Sequence, residues 1–108
     1  MKRYKIAFTP EAEDDMREVY LFTTGYANDK RGKEVMRELK ESILSLRTMP
    51  LRYGIPQYPI CEQLALRRML VGNYSVFYQV DEDTAAVTVV NIIWSRADLQ
   101  AKLGFSRK

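Results

Sequence analysis

The chain contains no histidine and only one cysteine, Cys61, among its 108 residues. A lone cysteine rules out an internal disulfide, and without histidine no Cys/His zinc set can be assembled. Cys61 is therefore read as a small buried hydrophobe, because no imidazole is present to activate its thiol. No apolar run approaches the roughly 20 residues that a bilayer-spanning helix needs. Met1-Lys2-Arg3 leads into a strand-like alternation instead of the apolar core of a signal peptide. The expectation is one cytoplasmic domain over residues 1–108, with no membrane association, no metal and no cofactor. Hydrophobic residues at 46% and charged ones at 29% are ordinary globular proportions, enough for a core of its own.

What is present in strength is β-type sequence between Leu66 and Asp98. Three runs, LALRRMLVG, NYSVFYQV and AAVTVVNIIW, are separated by two turns. The middle run is dense in β-branched and aromatic residues and free of Gly and Pro, so it is expected inside the sheet. Gly72-Asn73 can supply the positive φ angles of a two-residue hairpin, and Asp81-Glu82-Asp83-Thr84 reads as a longer, solvated hairpin loop. Two consecutive hairpins make a meander. Upstream, Tyr4, Ile6 and Phe8 alternate with Lys5 and Ala7, which predicts a further half-buried strand.

Thr9-Pro10 ends that strand and starts a helix. Threonine is a good N-cap, proline at the first helical position costs no hydrogen bond, and Glu11, Glu13 and Asp14 lie where the helix dipole favours negative charge. Ala12, Met16, Val19, Tyr20 and Thr23 fall on one stripe, which carries the helix to about Gly25 or Tyr26. The acids Glu11, Asp14, Asp15 and Glu18 are read as its solvated outer face, not as a carboxylate site. A second helix begins near Asn28 or Asp29, carries Val35, Met36, Leu39, Ile43 and Leu46 at spacings of three and four, and ends before Pro50. Lys30 with Glu34 and Arg37 with Glu41 are expected to pair on its exposed side. The short link predicts an antiparallel helix hairpin on one face of the sheet.

The net charge of +3 is mild but unevenly spread. Pro10 to Asp29 holds six acids and one base, Arg17, whereas between Ser42 and Val80 the charges are Arg47, Arg52, Arg67, Arg68 and the lone acid Glu62. A basic sheet face suits a polyanion, and the same arginines equally serve to solvate a sheet face. Leu51 to Gln63 has no periodicity and is read as a long loop, in which Tyr53 and Tyr58 beside Arg52 are candidates to stack on bases. Arg67 and Arg68 must point to opposite sheet faces, because strand side chains alternate. Tyr74, Val76, Tyr78 and Val80 form the better core face of the middle strand, leaving Ser75 and Gln79 on an open face if helices cover only one side.

The order strand, helix, helix, meander, with Phe8-Thr9-Pro10-Glu11-Ala12 opening the first helix, Leu46 to Pro50 closing the second, the run Leu70 to Glu82, and Arg96-Ala97-Asp98 at the close, resembles the RelE/ParE superfamily of type II toxins. No single mark is specific; their order and spacing together are. The resemblance implies an α+β fold, with a two-helix hairpin packed on a four-stranded, largely antiparallel sheet. It also implies a toxin, of the plasmid-stabilisation type, held inactive by a cognate antitoxin protein. Within the superfamily, RelE-like members cut messenger RNA in the ribosome and ParE-like members poison DNA gyrase.

RNA cleavage by 2′-hydroxyl attack needs one group to remove a proton, another to protonate the leaving oxygen, and cations for the phosphate charge; arginine supplies only the last. RelE-like nucleases are similar in carrying basic residues on the first meander strand, an arginine in the middle strand, another after the last strand, and often a tyrosine or histidine near the C-terminus. Arg68 and Arg96 match the first and third of these. Ser75 stands at the middle-strand position, and Leu99 to Lys108 contains neither Tyr nor His. Glu62, Tyr53 or Tyr58 would have to move protons in their place. The resemblance thus implies Arg68 and Arg96 as phosphate-stabilising residues and Arg52, Tyr53, Tyr58, Arg67 and Ser75 as RNA- or target-binding. The mismatches favour a ParE-like inhibitor of a protein target such as gyrase; a ribosome-dependent mRNA endonuclease and a toxin fold without toxicity are the alternatives.

Overall fold

The computed structural model describes residues 2–95. Strand β1, Lys5–Phe8, runs into helix α1, Pro10–Tyr26, through the cap read from the sequence: Thr9 Oγ1 accepts from the Ala12 N–H at 3.1 Å, and Pro10 takes the first helical position. Asn28 caps the next helix in the same way, its Oδ1 accepting from the Arg31 N–H at 2.8 Å, so α2 covers Asp29–Leu44. Two 3-10 turns, Ser45–Arg47 and Pro50–Arg52, follow it. A short helix α3, Pro59–Leu64, precedes the meander β2 Arg67–Val71, β3 Tyr74–Asp81 and β4 Ala86–Trp94. In the first hairpin turn Gly72 takes a positive φ, 57°, as expected, whereas Asn73 does not.

The sheet order is β1-β4-β3-β2. The meander pairs are antiparallel, while β1 lies parallel to β4, with Lys5 opposite Ala86 and Phe8 opposite Val89. The α1–α2 hairpin covers one face, where Leu39, Ile43 and Leu46 meet Val76, Tyr78, Val87 and Val89, all buried. Val90 is an extra residue in β4, since Tyr78 faces Val89 and Phe77 faces Asn91.

Four expectations are corrected. The segment Leu51 to Gln63 is not all loop: Pro59 opens α3 and Ala65 closes it in the left-handed region, φ 53°, its N–H reaching Glu62 O. Six residues are too few to show helical periodicity, which is why the pattern is silent there. As a result, helices do not cover only one sheet face. On the opposite side Cys61 and Leu66 pack on Phe77 and Ile93, so Ser75 and Phe77 are buried instead of open to solvent, and the Gln79 amide donates to Leu64 O. Burial also pushes the Cys61 thiol pKa up.

Asp15 is not part of a solvated face. β1 ends at Thr9-Pro10, so β4 past Val89 has no strand on that side. Asp15 Oδ2 takes the strand's place, accepting from the Ile92 N–H at 2.9 Å and from Asn91 Nδ2 at 3.2 Å. On α2 the ion pair formed among the described residues is Arg31–Glu34, 3.3 Å, in place of the two pairs expected four apart.

Candidate functional site

The sequence-predicted residues separate into two groups on opposite faces of the sheet. Arg67 pairs with Tyr78 across the strands and turns to the α1–α2 side. There its Nη1 donates to Tyr53 O at 2.6 Å and to Leu51 O at 3.4 Å. Arg52 is similarly engaged. Its terminal nitrogens reach the carbonyls of Ser45, Thr48 and Met49 and the Ser45 hydroxyl, while its guanidinium lies 4.9 Å from the centre of the Tyr53 ring. Ser45 O and Met49 O also accept from the Thr48 and Arg52 N–H groups of the two 3-10 turns, so the guanidinium adds to those turn bonds and ties the two turns together. Beneath them, the Tyr78 hydroxyl donates to Pro50 O at 2.6 Å, and burial pushes its pKa up to about 12. Arg52, Tyr53 and Arg67 thus form one cluster that ties the Leu51–Tyr53 segment to the sheet.

Arg68 faces the other way, opposite Phe77. Its Nε donates to Ser75 Oγ at 3.0 Å, and its guanidinium carbon lies 6.0 Å from the centre of the Phe77 ring. The Ser75 and Ser95 hydroxyls are 3.2 Å apart, which continues the polar row to the last described residue. Arg68 N–H is held by Gly54 O at 3.1 Å. The two terminal nitrogens of Arg68 have no partner among the described residues and can receive an anion with bidentate geometry. The structure therefore brings Arg68 and Ser75 together. Tyr58, at the N-terminal boundary of α3, is partly exposed and joins neither group. Arg96 and residues 99–108 lie outside the described residues.

The guanidinium of this row can hold negative charge and stays protonated, and among the described residues no base is hydrogen-bonded to either serine hydroxyl. Among the described residues no cluster of His, Cys, Asp or Glu can hold a metal ion, and no helix is long and apolar enough to cross a membrane.

This arrangement of helix hairpin and mixed sheet has known counterparts. The family model described as the ParE toxin of the type II toxin-antitoxin system, parDE, matches residues 6–99. The chain belongs to the ParE toxin family. Its fold is that of the RelE/ParE toxins: it superposes on the chromosomal ParDE system of P. aeruginosa with TM-score 0.72 at 11% identity, covering 87% of this chain and 98% of the other. The toxin-antitoxin complex RelBE2 of Mycobacterium tuberculosis gives TM-score 0.67 at 21% identity, over 91% and 97% of the two chains. The intact E. coli RelBE complex gives 0.61 at 16%, over 87% and 99%. No curated protein matches the chain significantly in sequence.

One surface of this ParE-family chain escaped the sequence reading. Phe22, Tyr26 and Trp94 are exposed, and the Phe22 and Tyr26 rings stack with centroids 5.7 Å apart. The signal was available: Phe22 and Tyr26 stand four apart on α1 and off its buried stripe.

Proposed function

We propose that the protein is the toxin of a type II toxin–antitoxin pair that acts by binding a protein target of the DNA gyrase kind, not by cutting RNA, and that a cognate antitoxin protein holds it inactive. The observation that carries this reading is the surroundings of Arg68. Its Nε bonds Ser75, whose hydroxyl in turn meets Ser95, and among the described residues no acid or base is hydrogen-bonded to it. Membership of the ParE family supports the same choice, and the likeness to toxins solved in toxin–antitoxin complexes supports the antitoxin.

Purified protein is expected to inhibit supercoiling by gyrase while messenger RNA in a translation reaction stays full length. The unpaired terminal nitrogens of Arg68 also suit a phosphate, which favours RNA cleavage as the second reading, with Arg96 as the other charge donor. In that case mRNA is cut, and Arg68→Ala and Arg96→Ala abolish cutting without unfolding the protein. Supercoiling unaffected by the wild-type protein, together with mRNA cleavage of that kind, would overturn the gyrase reading.

A further inference from the structure

Among the described residues three other than glycine have a positive φ: Met49, Ala65 and Ala85. Ala65 closes α3 and Ala85 ends the turn into β4, and the small alanine side chain crowds little there. Met49, at φ 54° and ψ 51°, also turns the chain, between the two 3-10 turns. It does so with a long side chain where glycine or asparagine would sit with less strain, and Pro50 after it favours extended backbone. The Met49 side chain is nevertheless 62% exposed, and Leu51 is 45% exposed, while Pro50 between them is buried. Met49 and Leu51 pack in neither core and line none of the grooves beside α1 and α2. They stand on the outside of a turn.

That turn is fixed from within. The Tyr78 hydroxyl bonds Pro50 O, Arg67 bonds Leu51 O and Tyr53 O, and Arg52 joins Met49 O to Ser45 O and Thr48 O. Cross-links of this kind hold a strained backbone in place, and strain so held is a mark of functional turns. The charge beside the tip is positive. Arg47, exposed two residues before Met49, donates from Nε to Leu44 O, and its terminal nitrogens have no partner among the described residues. No acid occurs between Ser42 and Cys61, and residues 96–108 carry Asp98 against Arg96, Lys102, Arg107 and Lys108, so they bring no net negative charge. Methionine, leucine and one arginine suit a protein surface, since methionine and arginine are enriched in interface cores and a phosphate backbone is met mainly by cations and polar donors. A rigid convex tip also needs a partner with a hollow already formed, which a segment that folds on binding does not bring.

We propose that Met49 and Leu51 form a preorganised knob that enters an apolar pocket on the folded protein the toxin acts on, with carboxylates at the pocket rim meeting Arg47. The proposal rests on the reading that the target is a protein, and it names the surface that reaches it. Fixing the tip before contact lowers the ordering cost of binding.

The test sets stability against activity in the full chain. Met49→Asn removes the apolar side chain and installs a residue that tolerates the left-handed region, so the melting temperature should rise by about 2–6 °C. Inhibition should fall all the same: the concentration that half-inhibits gyrase supercoiling is expected to rise about tenfold or more, the loss of a hot-spot side chain. Leu51→Asn should weaken inhibition without the thermal gain, and Arg47→Ala should weaken it by about two- to fivefold, the size of an exposed ion pair. Met49→Leu should recover most of the inhibition lost in Met49→Asn and lose its thermal gain. Growth arrest on induction in bacteria is read in parallel, because it follows the target whatever its identity. Wild-type protein that arrests growth and leaves supercoiling untouched refutes the gyrase reading alone, and the order of the variants in growth arrest still decides the proposal. Met49→Asn that is as active as wild type overturns it. So does Met49→Asn that melts more than about 4 °C lower, since the side chain would then be covered in the free protein, by residues 96–108 if the drop is independent of concentration and by a second copy if it is not. Activity lost in Arg47→Ala but kept in Met49→Asn and Leu51→Asn would mean that this surface meets a polyanion, and would overturn it as well.

Discussion

Gly32→Ala is the substitution for which helix propensity and tertiary packing make opposite forecasts. Gly32 lies inside α2, where alanine is favoured over glycine by about 1 kcal/mol. Yet a Cβ there would sit 2.5 Å from Thr24 Oγ1 and 3.3 Å from Tyr20 Cε1 on α1. The tyrosine ring edge can give by a few tenths of an ångström; Thr24 Oγ1, one bond from its Cβ, can leave only by a change of χ1 rotamer inside the helix contact. Relief requires that change or a parting of the helices, and overpacking of this kind costs about 1–3 kcal/mol. Set against the propensity gain, the net expectation is a loss of about 1 kcal/mol, equivalent to a drop in melting temperature of roughly 4–8 °C for a domain of this size. Thr24 Oγ1 is itself buried without a partner among the described residues, so Thr24→Ala removes both the obstruction and an unsatisfied hydroxyl. In that background Gly32→Ala should become stabilising by up to about 1 kcal/mol, a coupling of about 2 kcal/mol between the two sites. Denaturant and thermal unfolding of the four proteins measure the cycle. A wild-type background in which Gly32→Ala already stabilises, or two backgrounds that respond alike, would refute the close approach of α1 and α2.

Leu39→Ala, at a site 1% exposed between helix and sheet, should cost about 2–5 kcal/mol in denaturant melts; a shift well under 1 kcal/mol would mean that α2 presents another face. Asp15→Ala strands the Ile92 N–H and should cost about 1–3 kcal/mol, whereas removal of a merely solvated acid would change stability by less than about 0.5 kcal/mol. Tyr78 has its folded-state pKa raised to about 12 from an ordinary value of 10.0, so its neutral form favours the fold. That contribution is complete below about pH 10 and is lost as pH rises towards 12. Alkaline unfolding followed by circular dichroism should therefore steepen over that window, and Tyr78→Phe should remove the steepening.

What the sequence determined by itself is local. Thr9-Pro10 and Asn28 cap helices with side chains that reach only three residues along the chain, and Gly72-Asn73 closes a hairpin within a single turn, so each signal is complete within a few letters. Alternation along β2 likewise required Arg67 and Arg68 to part company. Tertiary structure decided what each then met. Arg67 is bound by loop carbonyls 14 and 16 residues away, and the terminal nitrogens of Arg68 meet no partner among the described residues, an outcome that depends on how Leu51–Gly54 folds back on the sheet. The α3 cover over Ser75, the carboxylate of Asp15 completing the edge of β4 77 residues away, and the demand for glycine at position 32 arise between different elements of the fold. Periodicity reports which face of an element is buried; it carries no information on what arrives to bury it, because that is settled by chain topology and by steric fit between elements.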